Sequence, residues 1–179
     1  MAASRHRHSA GAKIMADKSG QAAAEFAVVV TAVLVLLFGL IDFGRALNYE
    51  QVMVGLTRQG SNTASRGTTL PTTAAALVAA TAPLNVATSG KVIVTSVAQV
   101  QNTNQITGQA SSGGVPCASH IGNAVGGAAT IPPAAATITA AGQTIYVTEV
   151  CYSYQPITPI GNFIKNMVMP STLYEVAYF

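Results

Sequence analysis

The amino-acid sequence predicts an α+β chain: one long N-terminal helix, membrane-embedded first and amphipathic afterwards, packed on a small antiparallel β-sheet. Three observations carry this expectation. From Phe26 to Ile41 the only side chain that is neither apolar nor glycine is Thr31. Such a run suits hydrocarbon, which about 20 residues rising about 1.5 Å each can cross. After Ile41 the pattern becomes one-sided, with Tyr49, Val52, Met53, Leu56, Gly60 and Thr63 at helical spacing and Glu50, Gln51, Arg58 and Gln59 between them. The C-terminal part then offers three β-branched or aromatic segments, which need a cover that the one-sided half of the helix can supply.

Taken in order, residues 1–20 read as a disordered, basic cytoplasmic leader, 21–66 as the long helix and 67–179 as an outer domain. The helix spans roughly Ala22 to Ser65, and Arg66-Gly67 supplies its stop. Asp42 and Arg45 lie three apart and are expected to form an ion pair where the helix leaves the bilayer. Thr68 to Pro71 is a link, and an alanine-rich helix over Thr73 to Ala82 follows, closed by Pro83. Lys91 to Val100 is the first strand. Gln101 to Ala141, rich in Asn, Gln, Ser, Gly and Pro, reads as a long excursion with turns at Ser112-Gly113-Gly114 and Gly126-Gly127.

Gln143 to Tyr154 is the second strand, with Tyr146, Val150, Tyr152 and Tyr154 on one face and Ile145, Val147 and Cys151 on the other. Pro156 ends it, and Pro156-Ile157-Thr158-Pro159-Ile160 turns into a short apolar segment around Phe163 and Ile164. Ser171 to Phe179 closes the chain as a third strand, with Tyr174, Val176 and Tyr178 on one face.

With 179 residues, of which 8% are charged, the chain has room for a membrane helix and one ordinary domain. Low charge without low hydrophobicity excludes a disordered solvating chain. The formal net charge of +3 comes from the leader, where Arg5, Arg7, Lys13 and Lys18 outweigh Asp17. Beyond Gly20 the charges balance, which leaves no electrostatic footprint for nucleic acid. Basic residues before the span place the N-terminus in the cytoplasm and the remainder outside. Cys117 and Cys151 then both fall in an oxidising compartment, where a disulfide is favoured over a metal site. Such a bridge would tether the excursion to the second strand.

Catalytic chemistry has little to build on. There is no close carboxylate pair, no His-x-x-x-His and no Cys-x-x-Cys. Ser119-His120 lacks a nearby Asp to orient the imidazole, and the Gly-Gly pairs lack the frame of a phosphate loop. Lys91 and Glu149 are expected to pair across adjacent strands. No enzyme activity and no cofactor are expected.

The basic leader, Gly20, and Glu25-Phe26 heading the apolar run together resemble the prepilin signature of type IV pilins and pseudopilins. With Phe38-Gly39-Leu40-Ile41-Asp42-Phe43-Gly44-Arg45-Ala46, the pattern is most similar to the TadE-like branch of the tight-adherence pilus system. The resemblance runs from about Ser19 to Arg66 and is looser near the C-terminus. It implies a pilin-like fold and a bacterial inner-membrane protein that also enters an extracellular pilus. It further implies cleavage between Gly20 and Gln21 by prepilin peptidase, and a role in axial register for Glu25 and Phe26. Implied partners are other pilin subunits, the inner-membrane assembly platform and membrane lipid. Four alternatives stay open on the residues alone: a minor pseudopilin of a type II secretion system, a membrane-anchored periplasmic binding module, a Sec signal cut near Gly44-Arg45-Ala46, and a plain signal anchor with no cleavage.

Overall fold

The computed structural model describes residues 9–133, 143–159, 161 and 171–179. A single helix, α1 (Ser9–Ser65), opens the described chain and is followed by α2 (Leu70–Ala79) and α3 (Val86–Ser89). The strands are β1 (Gly90–Val100), β2 (Thr103–Gly113), β3 (Thr144–Ser153) and β4 (Thr172–Tyr178). They form one antiparallel sheet in the order β2-β1-β3-β4. The α+β expectation of a long apolar helix on a small antiparallel sheet is thereby met.

Two boundaries differ from expectation at the N-terminal end of the chain. Residues 9–20 are helical and continuous with the apolar run, not disordered. Ala10, Ala12, Lys13, Met15, Ala16 and Lys18 are good helix formers, and extending an existing helix needs no new nucleus, so Gly11 and Gly20 do not interrupt it. The second helix starts at Leu70 because Pro71 fits a first turn, and the Thr69 side chain caps it by accepting from Thr72 N–H at 3.4 Å. The apolar segment around Phe163 and Ile164 lies outside the described residues.

The largest correction is a fourth strand. The first half of the excursion is β2, a hairpin partner of β1 paired from Val100↔Thr103 to Lys91↔Gly113, with a one-residue register shift between Ser96 and Val97. Its residues, such as Asn104, Gln105, Gly108, Gln109 and Ser111, have poor strand propensity. Backbone pairing along an already formed β1 overrides that preference. The turn is Gln101-Asn102, both left-handed at φ 50° and 64°, the backbone of a two-residue hairpin.

The helical cover works as the patterning predicts. Tyr49, Met53, Leu56 and Ala64 of α1 and Ala74 and Leu77 of α2 bury themselves against Val92, Val94, Val150, Tyr152 and Tyr154. At Gly60 the helix passes so close to α2 and the sheet that a Cβ would lie 2.6 Å from Leu77 Cδ1 and 2.7 Å from Thr148 Oγ1, so any larger residue would have to displace those two side chains. Ser61 Oγ donates to the Ala177 carbonyl at 2.9 Å, fastening α1 to β4.

The outer face of the sheet is covered too, by the second half of the excursion. Residues 114–133 run back along β2 and across that face, with Ala129 N–H donating to Asn104 O at 2.7 Å and Gly126 N–H to Ile106 O at 2.7 Å. Ile121 thereby joins Val97, Ile106, Ile145 and Val147 in a second small core. The Cys117–Cys151 disulfide closes the strap onto β3.

The exposed helix, its junction with the head, and a buried carboxylate

From Gln21 to Leu37 every residue of α1 is exposed, and Asp42 is the first buried one. The apolar run therefore projects from the head as a free stem. It is long and apolar enough to cross a membrane, with a mean hydropathy of 2.7 over its best window. Of the four residues read as the cleavage and register site, Gly20 and Gln21 lie one to two helical turns before Glu25 and Phe26. Gln21 Nε2 donates to Glu25 Oε1 at 2.9 Å, so positions 21 and 25 share a face. A Cβ at Gly20 would meet nothing within 4 Å, so no packing within the chain requires glycine there.

At Asp42 the stem meets the head. The expected Asp42–Arg45 ion pair does not form. Asp42 Oδ1 accepts from Ile157 N–H at 3.0 Å, Oδ2 accepts from the Thr158 hydroxyl, and the Tyr154 hydroxyl donates to the Asp42 carbonyl at 2.7 Å. Arg45 turns away, donating to the Tyr49 hydroxyl at 2.6 Å with its guanidinium 5.3 Å from that ring's centroid. The reason is burial: at 2% exposure the carboxylate needs fixed donors on both oxygens, and the Pro156–Pro159 turn brings them. Tyr49 in turn meets Tyr152 and Tyr154 edge-on at 5.5 and 5.9 Å, a favourable aromatic arrangement. Burial pushes both of those phenols upward in pKa.

The second buried carboxylate, Glu149 on β3, sits on the outer face with no exposed surface. Lys91 is not its partner, because Lys91 is in register with Cys151 and Glu149 with Ile93. Glu149 instead accepts from the Ser119 hydroxyl, from His120 N–H at 2.7 Å and from the Tyr174 hydroxyl at 2.6 Å. The His120 ring lies 4.1 Å from that of Tyr174. Burial, then the bond to Glu149, hold the Tyr174 phenol well above its ordinary range. Ser119 is thus bound to a carboxylate rather than activated by His120, and its oxygen also accepts from Ile121 N–H at 3.1 Å. The arrangement latches the strap. Its signal in the sequence is a glutamate in the middle of a strand, on the same side as Ile145, Val147 and Cys151, where a charge must find donors.

Among the described residues no group of three or more His, Cys, Asp or Glu side chains can hold a metal ion. No curated protein and no solved structure matches the chain. The model of the TadE-like protein family matches residues 20–62, from the glycine that opens the exposed stem to the turn beyond Gly60 where α1 crosses the sheet. Over that helix the chain is TadE-like, in agreement with the resemblance carried by Gly20, Glu25 and Phe26.

Proposed function

We propose that this protein is a pilin-like structural subunit or assembly factor of a tight-adherence pilus, acting by assembly and not by catalysis. The observation that carries this reading is the coincidence of the TadE-like match, residues 20–62, with the exposed stem and its junction. Before assembly the stem spans the inner membrane, N-terminus in the cytoplasm and head outside. Prepilin peptidase cuts between Gly20 and Gln21. A glycine at a position where a Cβ would meet nothing within 4 Å is consistent with a requirement imposed by such a partner. The exposed run from Phe26 to Ile41 then leaves lipid for the helices of other pilin subunits at the assembly platform.

Glu25 sets the register of that exchange. An acidic side chain at mid-bilayer costs about 2.5–3.5 kcal/mol on insertion scales, and less near the interface. The cut creates an ammonium at Gln21, and the ammonium of a neighbouring subunit pairs with Glu25 when the helices are aligned. Misalignment leaves both charges unpaired in an apolar core. Glu25→Ala and Glu25→Gln are expected to insert and be cleaved yet to incorporate poorly, while a bulky residue at Gly20 leaves the longer precursor. Intact-mass analysis of the membrane and pilus fractions reads both outcomes. Normal recovery of both Glu25 variants in sheared pili overturns the register role, and a mature chain starting near Leu47 overturns the whole processing scheme.

A further inference from the structure

Glu25 and Asp42 bracket the apolar run and lie 17 positions apart, about 25 Å along a helix at about 1.5 Å per residue. The hydrocarbon of a typical bilayer is about 30 Å thick. A span that is too short must be accommodated, for example by thinning the bilayer, and flanking structure that needs no water can instead sit at the interface. The groups at the outer end of this span suit the second. Asp42, the acidic residue at the outer end, has its carboxylate oxygens satisfied by Ile157 N–H and the Thr158 hydroxyl, so it needs no water where it sits.

Apolar side chains stay exposed beyond the nominal end of the span. Leu40 is 68% exposed, Phe43 49%, Leu47 43% and, on the turn hydrogen-bonded to Asp42, Ile157 64%. Ile157 belongs to the head and not to the helix, yet that bond holds it level with the last turn of the stem. Exposed apolar groups rimming one end of a domain mark an interaction surface.

We propose that the underside of the head, the Pro156–Pro159 turn with Ile157 at its tip, together with Phe43 and Leu47, is seated in the interfacial layer of the outer leaflet. The partner is a lipid surface, and the turn is a second membrane contact besides the stem. Locking the turn to Asp42 makes stem and head enter the membrane as one rigid unit, which fixes the height of the head before assembly. The inference rests on the reading of the stem as a membrane span.

The chain has no tryptophan, so single-tryptophan variants of the full chain report depth without background. Ile157→Trp, Leu36→Trp and Val125→Trp are compared in vesicles of phosphatidylcholine and phosphatidylglycerol, with lipids brominated either near the headgroup or near the chain end. Val125, 63% exposed, lies in the strap on the outer face of the sheet. Ile157→Trp is expected to emit at shorter wavelength than Val125→Trp and to be quenched most by the lipid brominated near the headgroup. Leu36→Trp is expected to be quenched by both lipids and Val125→Trp by neither. An unquenched Ile157→Trp beside a quenched Leu36→Trp overturns the proposal while leaving the span intact. A blue-shifted but unquenched Ile157→Trp overturns it in favour of a contact with a second copy of the chain. An unquenched Leu36→Trp overturns the span reading itself.

Discussion

Glu149 makes the strongest prediction about how the head holds together. Glu149→Ala removes the acceptor of three donors, the hydroxyls of Ser119 and Tyr174 and the N–H of His120. The amide cannot turn away, and an unsatisfied buried donor costs about 1–3 kcal/mol. The two hydroxyls can rotate, so each loses about 0.5–1.5 kcal/mol of net hydrogen bonding. Together these give about 4 kcal/mol, or nearly a thousandfold in an opening equilibrium at about 1.4 kcal/mol per tenfold. Glu149→Gln keeps one carbonyl oxygen for His120 and Tyr174 and turns its amide toward Ser119, whose hydroxyl then accepts where it had donated, so charge assistance and the acceptor of the Ser119 proton are lost and the cost is about 1–2 kcal/mol. Hydrogen exchange by mass spectrometry on the full chain in detergent micelles, following peptides from residues 115–131, reads the opening of the strap directly. Exchange there is expected to rise nearly a thousandfold in the alanine variant and about tenfold in the glutamine variant, in line with those costs. Wild-type exchange in Glu149→Ala, or equal acceleration in both variants, refutes the latch.

Other expectations follow from the same geometry. Removing the Cys117–Cys151 bridge, whose ends are separated by 34 residues, should destabilise the head by about 3–4 kcal/mol in the chain-entropy account, read by urea unfolding of a double-serine variant. Tyr174 has a folded pKa raised above its ordinary value of 10.0, so its contribution is complete below pH 10 and is lost as pH rises beyond it. Tyr174→Phe should therefore lower stability at neutral pH and flatten the alkaline loss, and an unchanged pH profile would contradict this. Glu175 is also raised, by burial first and by Glu50 second, from its ordinary 4.5. Its ionisation therefore opposes folding as pH rises past that value, and Glu175→Gln should raise the melting temperature at pH 7 but not at pH 3.

What the sequence by itself determined is the part governed by local chemistry. The apolar run from Phe26 to Ile41, the one-sided pattern through Met53 and Leu56, the proline of the second helix and the alternation in β3 are written at periods of 3.6 and 2. Each therefore appears where it was read, within a few residues. Gly20 and Glu25 were legible as a spacing, and the TadE-like match covers them. The cysteines were legible through the compartment that their side of the helix implies, and the bridge joins the two residues named.

Tertiary structure alone decided what depends on partners distant in sequence. Strand β2 exists because β1 offers it a ladder, and no local preference of Asn104 or Gln109 announces it. Both interior carboxylates found donors that no short-range rule supplies, Asp42 at Ile157 and Thr158 and Glu149 at Ser119, His120 and Tyr174. The near neighbours Arg45 and Lys91 were passed over. Burial is the physical reason: on the surface a charge takes the nearest opposite charge weakly, whereas in the interior it must have donors held in place by the fold.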